Sequence, residues 1–526
     1  MPDHPRLAVH TSEWGPFTLL ASDEVVSVEP VDHGPLERTD PDEVLAALGG
    51  VGSVWDVGTG GTPLAAGMWP RTGPALTDIG ADYSTALFPR DLFISLRSIE
   101  SRYPLARFRN LWLAVDEVFR HQGRARERAL DPDDYERRHE APGKLFHEHR
   151  DPDEPLAQEI ARTTGCAWPW FAADDVTGDG VNYVMEHALA SPMVLARRVE
   201  QPDGQVITYA QAVVAGIRWE LRSLEAGGQG LILSERLPRP AGSTWLPPLG
   251  SVWKDSPDGF LRADGTQPTR PVALVEVQCI LYRSLRLAAE LSALNHEFAE
   301  LLGVRHLDEL AASVRQRFFE TFWVDSAAGG HPGYFAELDE PGRRLVAAPF
   351  LASSAIDTLL CGLCDGEELR ELRDALMRAL YDPSLGLRGA LGPRSLSVDA
   401  PHYYPSGGDK GAVWPYLNDR AAVAASAHGF QRCARHDWKL VERICESTSA
   451  YPEFVPDAVE PGFDRVRVKV RRGRPDPYVT TAIEPAKAWQ LWTVAASVNA
   501  NARLAEDRPS DPAVDALDAE LAGALA

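Results

Sequence analysis

The feature that most constrains the fold is a long series of segments with helical periodicity, separated by long loops. From about residue 85 onward, apolar residues recur every three to four positions, which is the spacing of one buried helix face. Roughly every second segment is followed by a long loop rich in Gly, Pro and Trp, and such loops are unusual in a compact domain unless they carry function. The predicted helices lie near 91–103, 107–122, 178–199, 208–225, 271–302, 307–323, 350–362, 366–381, 418–433, 435–447 and 484–504.

This alternation predicts a mainly α fold, an (α/α)6 toroid in which inner and outer helices alternate and the long loops meet at one mouth. Two or three helical bundles joined by linkers are the alternative, which is less favoured because the loops carry aromatic residues rather than linker composition. Short alternating runs at 17–20 and 25–28 are typical of strands. We therefore expect a short β-rich N-terminal segment over 1–75, the toroid over 76–505, and an acidic helix or tail over 506–526.

Charge and hydropathy exclude several classes of partner. The 526 residues carry a formal net charge of −23, which disfavours nucleic acid and anionic membrane surfaces because both attract clustered Lys and Arg. Neither a secretory signal nor an apolar run long enough to span a bilayer is recognisable. The sequence thus predicts a cytoplasmic protein with a small, neutral ligand such as a carbohydrate, and it leaves open whether the chain forms a homo-oligomer.

The cysteines and histidines do not form a recognisable ligand set along the sequence. The pair in Cys361-Gly-Leu-Cys364 has no second pair to complete a zinc site, and it ends an apolar run, which predicts buried thiols. No closed set of Cys, His and carboxylate residues appears at metal spacing, so we expect neither a metal nor an organic cofactor.

One loop and the helix after it have the composition of an active site. Trp253, Lys254 and Asp255 lie side by side in a loop bounded by Gly and Pro, where an aromatic ring and a cation tune the proton affinity of the carboxyl group. A surface turn capped by Asp255 is the alternative. In the helix that follows, Glu276 and Gln278 interrupt an apolar run, and burial of a carboxylate is costly unless it is paired. These polar groups are therefore expected to face a partner or a ligand.

An ordered series of motifs resembles the bacterial amylo-α-1,6-glucosidase, or glycogen-debranching, type of glycoside hydrolase, within the six-hairpin glycosidase group. The resemblance covers roughly residues 80 to 500, and its strength lies in the order of the motifs rather than in any one of them. The motifs are Phe88-Pro-Arg-Asp-Leu-Phe-Ile-Ser95, Ala141-Pro-Gly-Lys-Leu-Phe-His-Glu-His-Arg150, Val252-Trp-Lys-Asp-Ser256, Asp264-Gly265, Ala273-Leu-Val-Glu-Val-Gln278, Gly411-Ala-Val-Trp-Pro415 and Tyr451-Pro-Glu-Phe454.

The resemblance implies an inverting hydrolase in which Asp255 is the general acid and Glu453 the general base. Inversion requires two carboxyl groups about 6.5 to 9.5 Å apart. The motif around Glu453 continues differently from the family pattern, so Asp457 or Glu460 is the alternative base. The substrate-binding residues implied are Arg90, Asp91, His147, Glu148, Arg150, Trp253, Lys254, Glu276, Gln278 and Trp414. Several of these residues have a structural alternative. For Arg90 and Asp91 it is a salt bridge at a helix start. For His147, Glu148 and Arg150 it is ion pairing, and for Trp253 and Trp414 it is burial of the indoles in the core.

Departures from the family pattern point to a changed substrate. The segment Gly165-Cys-Ala-Trp-Pro169 lacks the aspartate expected there, and Pro415-Tyr-Leu-Asn-Asp419 and Pro485-Ala-Lys-Ala-Trp489 also differ. We therefore expect an α-glucoside or a related small glycoside or oligosaccharide rather than glycogen. The alternatives are a non-hydrolytic carbohydrate-binding protein that lost the base, and a sugar epimerase or lyase on the same toroid. The lyase alternative would use His147, His149, His402, Tyr403 or Tyr404.

Overall fold

A computed structural model describes most of the chain from residue 86 onward and three strands before that part. The ranges described are 6–12, 15–21, 25–29, 86–101, 109–150, 152–153, 155–235, 252–254, 259–326, 329–339, 344–405, 407–448, 452–456, 466–469, 491–506 and 508–525. Three of the predicted catalytic carboxylates, Asp255, Asp457 and Glu460, lie outside the described residues, whereas Glu453 lies within them.

The strands are short, and all of their pairings are antiparallel. In chain order they are β1 (Arg6–Ser12), β2 (Gly15–Ala21), β3 (Val25–Glu29), β4 (Ala86–Leu87), β5 (His149–Arg150), β6 (Arg198–Glu200), β7 (Val206–Thr208), β8 (Val272–Leu274), β9 (Trp323–Val324), β10 (His331–Pro332), β11 (Phe335–Leu338), β12 (Leu345–Ala347), β13 (Arg388–Gly389), β14 (Gly392–Pro393) and β15 (Val466–Lys469). The largest sheet has the order β1-β2-β3-β15, so a late segment completes the N-terminal sheet. A three-stranded sheet has the order β12-β11-β8, and the other sheets are two-stranded.

Fifteen α-helices are found among the described residues. They are α1 (Pro89–Ile99), α2 (Arg109–Arg120), α3 (Pro132–Arg137), α4 (Pro155–Thr164), α5 (Val176–Ala190), α6 (Tyr209–Gly227), α7 (Val275–Leu294), α8 (His296–Leu302), α9 (Leu307–Phe322), α10 (Ala355–Leu360), α11 (Arg370–Tyr381), α12 (Pro415–Ala427), α13 (Gln431–Thr448), α14 (Leu491–Leu504) and α15 (Asp515–Ala524).

Six of these helices form a closed inner ring. Helix α1 packs on α5, α5 on α7, α7 on α10, α10 on α12, α12 on α14, and α14 returns to α1. The outer helices α2, α6, α9, α11 and α13 each follow one inner helix and pack against it, and α15 packs on α11 and α13. The fold is therefore an (α/α)6 toroid, as the periodicity predicted.

Local sequence explains where several helices begin and end. The side chain of Thr208 caps α6 and that of Gln211 caps it reciprocally, while Gly228 ends the helix with a φ of 62°. The predicted break between the segments 418–433 and 435–447 was misplaced, since α12 ends at Ala427. The turn falls at Gly429, whose φ of +86° favours a residue without a Cβ.

The core divides between the two halves of the ring. One buried cluster is built mainly from α1 to α9, with side chains such as Phe93, Tyr209 and Phe318. A second cluster joins α10 to α15 and includes Ile356, Trp438 and Leu521. All six cysteines are buried, and the burial of Cys361 and Cys364 confirms the interpretation of these two thiols. Among the described residues, no helix is long and apolar enough to cross a membrane.

Candidate active site

Polar and aromatic side chains from all six inner helices lie at the N-terminal ends of those helices. The partial positive charge of a helix N-terminus lowers the cost of placing a carboxylate there. The side chains concerned are Arg90 and Asp91 on α1, Asp175 before α5, Glu276 on α7, Asp357 on α10, Tyr416 on α12 and Trp492 on α14.

Arg90 and Asp91 differ in their surroundings although they are adjacent. The Arg90 guanidinium forms a buried ion pair with Asp175, with Nε at 2.8 Å and Nη2 at 3.2 Å from the two carboxylate oxygens. Burial raises the pKa of Asp91 to about 7, the charge of Arg90 opposes that rise, and Asp175 adds to it. The alternative of a salt bridge at the helix start therefore holds for Arg90, whose partner is Asp175. Asp91 is an additional buried acid beside this pair.

Lys254 and Glu276 form a second buried pair. The Lys254 Nζ lies 3.4 Å from Oε1 of Glu276, and their side chains are 0% and 3% exposed. The ammonium group also lies 4.8 Å from the ring centroid of Trp253 and 4.7 Å from that of Tyr334. Burial raises the pKa of Glu276, an effect that Lys254 opposes. The Oε2 atom of Glu276 has no hydrogen-bond partner among the described residues, so it is available to a ligand hydroxyl.

Asp357 adds a further acid, which is paired with Arg420. Burial raises the pKa of Asp357, and the charges of Arg420 and Lys254 oppose this. The nearby Tyr416 is fully buried, which raises the pKa of its phenol well above the ordinary value. The Tyr416 hydroxyl has no hydrogen-bond partner in the described part of the chain. A neutral hydroxyl donor thus accompanies the acids.

An aromatic cluster lies beside these charges and joins the two loops predicted to carry the catalytic carboxylates. The ring centroid of Trp414 lies 5.3 Å from that of Trp253 and 5.0 Å from that of Phe454. Tyr416 stacks on Trp492 at 4.4 Å and contacts Trp253 at 5.8 Å. The Trp414 indole is fixed because its Nε1 donates to the carbonyl of Gly408 at 2.8 Å.

The segment that carries Glu453 runs alongside the start of α12. Val413 and Val455 exchange backbone hydrogen bonds of 2.9 and 2.8 Å, and Thr493 donates to the carbonyl of Pro452 at 2.8 Å. Glu453 itself is partly buried. The segment is therefore tied to two inner helices, α12 and α14.

The predicted His147, Glu148 and Arg150 lie in the segment that enters β5. His147 packs edge-on against Phe88 at 5.5 Å and Trp170 at 5.6 Å. Its pKa is lowered well below the ordinary value by burial, with Arg90 and Lys144 adding to the effect. Glu148 and Arg150 form an ion pair with each other. The segment therefore borders the Arg90 end of the site, and the alternative of mutual ion pairing holds for Glu148 and Arg150.

Gln278 has a visible structural role. Its side-chain amide exchanges two hydrogen bonds of 2.9 Å with the backbone of Ile232 and donates to the carbonyl of Leu274 at 3.2 Å. The amide thereby fixes the loop after α6 against α7. Its assignment to substrate binding stays a prediction.

The sequence analysis did not identify several residues of the candidate active site. Asp175, Asp357, Tyr416 and Trp492 were not selected, although Asp357 interrupts an apolar run just as Glu276 does. That pattern at the start of a helix is the signal that could have found Asp357.

Away from the candidate active site, Glu117, His121 and His149 also come together, with their ligand atoms all within 4.8 Å of one another. The spacing of Glu117 and His121, four residues apart, was the available signal for that cluster.

No family model matches this chain, and no curated protein is similar to it in sequence. Solved structures resemble it at low identity. A GH63 mannosylglycerate hydrolase from Thermus thermophilus in complex with glucose is 16% identical, with a TM-score of 0.48, and the alignment covers 85% of this chain and 98% of that chain. The same enzyme with Tris and D-glycerate is 14% identical, with a TM-score of 0.49 and coverage of 80% and 94%. A wild-type glycosidase is 15% identical, with a TM-score of 0.45 and coverage of 89% and 99%. These values are too low to bear on activity, which must be argued from the site.

Proposed function

We propose that the protein is an inverting glycoside hydrolase acting on an α-glucoside or a related small glycoside or oligosaccharide, with Asp255 as general acid and Glu453 as general base. The observation that carries this proposal is the contact of Trp414 with the flanking residues of both carboxylates. Trp253 lies two positions before Asp255, and Phe454 directly follows Glu453. One indole therefore contacts both loops.

The spacing of the two loops on either side of Trp414 is compatible with the separation of the two carboxyl groups that inversion needs. Trp414 contacts the two loops at centroid distances of 5.3 and 5.0 Å. Inverting enzymes hold their carboxyl groups about 6.5 to 9.5 Å apart, so that a water molecule fits beside the sugar. This geometry supports a pair of carboxylates acting across a sugar ring.

The surrounding side chains fit a neutral, polyhydroxylated ligand. Carboxylates accept hydrogen bonds from hydroxyl groups, and guanidinium groups donate to hydroxyl oxygens. Asp91, Glu276 and Asp357 provide acceptors, and the Tyr416 hydroxyl provides a donor. Apolar faces of sugar rings pack well on indoles, and the buried indole of Trp414 lies between the two loops.

In the proposed reaction, Asp255 donates its proton to the glycosidic oxygen as the bond to the anomeric carbon breaks. Glu453 removes a proton from a water molecule, whose oxygen attacks that carbon from the opposite face. Asp255 ends ionised and Glu453 ends protonated, and the exchange of one proton with solvent restores both. The product sugar has the opposite anomeric configuration.

The test is hydrolysis of a panel of small α-glycosides, with the anomer of the first product followed by NMR. We expect the inverted anomer. Asp255→Asn should reduce turnover of substrates with poor leaving groups by about 10²–10⁴-fold and partly spare activated aryl glycosides, which need little protonation. Glu453→Gln should lose both activities, with partial rescue by azide. The exposed residues Asp264 and Glu446 supply matched controls, Asp264→Asn and Glu446→Gln, which should stay active.

Three results would change the assignment. Near wild-type turnover in Glu453→Gln, together with loss in Asp457→Asn or Glu460→Gln, would move the base to that residue. Activity in all three base variants would exclude this two-carboxylate mechanism. Binding of the panel sugars without any hydrolysis would instead support the carbohydrate-binding alternative.

A further inference from the structure

A second cluster of ionisable side chains lies on the outer layer, between α2 and β5. Glu117 is near the end of α2, and His121 follows one turn later just beyond the helix. His149 is the first residue of β5. One ligand atom from each of these three side chains lies within 4.8 Å of the other two.

The contacts within this cluster leave one imidazole nitrogen without a partner. The Nε2 atom of His121 lies 2.9 Å from Oε1 of Glu117, and the ring centroids of His121 and His149 are 4.4 Å apart. The Nδ1 atom of His149 is buried and has no hydrogen-bond partner among the described residues. Buried polar atoms are nearly always satisfied, so an unpartnered one calls for an explanation such as an ion.

We propose that Glu117, His121 and His149 bind a transition-metal cation, with Zn²⁺ as the preferred ion, in a site separate from the candidate active site. Two imidazoles and one carboxylate are a common ligand set for Zn²⁺, which binds N and O ligands at about 2.0–2.2 Å. The side chains of Glu117 and His121 are 25% and 16% exposed. Solvent can therefore supply the fourth ligand.

Metal binding requires neutral imidazole and ionised carboxylate, and burial of His149 favours its neutral form. Burial lowers the pKa of His149 well below its ordinary value, and the charges of His121, Arg138 and Arg120 lower it further. Burial would raise the pKa of Glu117, but the hydrogen bond and charge of His121 and the charge of Arg120 outweigh it, and the net shift is downward.

The neighbouring positive charges and the types of ligand atom favour a transition-metal ion over Ca²⁺ or Mg²⁺. Arg120 Nη1 lies 3.9 Å from the second carboxylate oxygen of Glu117, and Arg138 is paired with Asp134 at 3.4 Å. Hard cations such as Ca²⁺ and Mg²⁺ need several oxygen ligands, which this cluster does not provide. Imidazole favours Zn²⁺ and its neighbours in the transition series, whose stronger bonds to nitrogen can overcome the local positive charge.

The site would connect the outer layer to the glycosidase pocket. In β5, His149 pairs with Leu87 of β4, which leads directly into α1 and Arg90. A metal bridging α2 and β5 would therefore hold the segment that contains His147 against the start of α1. This role is one of support, and it does not depend on the proposed hydrolysis.

The test uses the tag-free full chain, stripped with a chelator and dialysed, then titrated calorimetrically with Zn²⁺. We expect one equivalent to bind and the unfolding temperature to rise. Titration with Co²⁺ should give ligand-field bands of a four- or five-coordinate ion that Zn²⁺ abolishes. His149→Ala and His121→Ala should each weaken Zn²⁺ binding by at least about 100-fold, more than changes around a metal site usually do.

The matched control is His296→Ala. His296 and Glu300 are also four residues apart on a helix, with Nδ1 and Oε1 at 3.7 Å, but they are highly exposed at 84% and 71%. This variant should bind Zn²⁺ like the wild type. Equal weakening in His296→Ala and His149→Ala, or the absence of a bound equivalent in the wild type, would overturn the proposal. If His149→Ala does not fold, an octahedral Co²⁺ spectrum of the wild type would equally refute it.

Discussion

Two buried arginine–aspartate pairs in this toroid have opposite surroundings. In the outer layer, the Arg388 side chain bonds both oxygens of Asp437 and the carbonyl of Leu380, and the Tyr381 hydroxyl donates to Asp437 at 2.7 Å. The exposed fractions of the Arg388 and Asp437 side chains are 1% and 0%. At the candidate site, Arg90 pairs with Asp175, but Asp91 adds a further buried carboxyl group.

The difference between these pairs separates a structural network from a binding site. Buried polar groups stabilise a fold only when each has a partner, and the network around Arg388 meets that condition. At the site, the pKa values of Asp91, Glu276 and Asp357 are all raised by burial. Acids with shifted pKa values of this kind cluster at functional sites. The candidate site therefore accepts an energetic cost that the network around Arg388 avoids.

The largest effect on stability should come from breaking the satisfied network. Arg388→Met leaves the charge of Asp437 buried without its cation, so we expect a loss of about 3–5 kcal/mol in the free energy of unfolding. Denaturant titration measures it. The control is Arg286→Met, since Arg286 and Asp308 form an exposed pair with side chains 57% and 72% accessible, and its effect should be within about 1 kcal/mol. A loss in Arg388→Met no larger than that of the control would show that the buried Arg388–Asp437 network stabilises the fold no more than an exposed ion pair does.

An intermediate effect is expected at Glu220, a buried acid outside the candidate site. Ser284 donates to its Oε1 at 3.0 Å, and its Oε2 has no partner among the described residues. Burial raises its pKa from 4.5 to about 8. Because the folded pKa lies above the unfolded one, stability is lost as the pH rises from about 4.5 to about 8.

Glu220→Gln cannot ionise and should remove that loss. We expect a gain of about 1–3 kcal/mol in the free energy of unfolding near pH 9, the range for an unsatisfied buried group, and little change near pH 4. The proposed glycosidase activity should be unaffected, since Glu220 is on the outer helix α6 and its carboxyl group contacts Ser284 on α7. Parallel pH profiles of stability in the variant and the wild type would contradict the assignment of the shift to burial.

The smallest effect on stability, but one coupled to function, is expected at Asp91. Its folded pKa of about 7 lies above the ordinary value of 3.8, so it also costs stability as the pH rises between these values. Asp91→Asn should gain less near pH 8 than Glu220→Gln gains near pH 9, because the rise in the pKa of Asp91, from 3.8 to about 7, is smaller than that of Glu220, from 4.5 to about 8. The same variant should raise the KM for the proposed glycoside substrate. Denaturation and steady-state kinetics at the same pH test both. A stability gain with an unchanged KM would place Asp91 with Glu220 rather than in the binding site.

The sequence by itself predicted the ring and half of the site. Helical periodicity is a local property, so the inner and outer helices of the ring were recognisable, whereas the short helices α3 and α4 were not predicted. Motif order marked Arg90, Asp91, Lys254, Glu276 and Trp414. The N-terminal strands around 17–20 and 25–28 were also predicted correctly. The assignments of Asp255, Asp457 and Glu460 lie outside the described residues and stay predictions, as does the division of the chain at 75 and 505.

Only the tertiary structure decided which charged side chains lie next to one another. Arg90 pairs with a residue 85 positions away, Trp253 meets Trp414 across the ring, and His149 meets Glu117 and His121 from a different element. Such partners follow from closure of the ring, which brings helix ends together that have no periodic relation in sequence. Burial, which sets the pKa values of Asp91, Glu276 and Glu220, likewise depends on what the closed ring packs around each side chain.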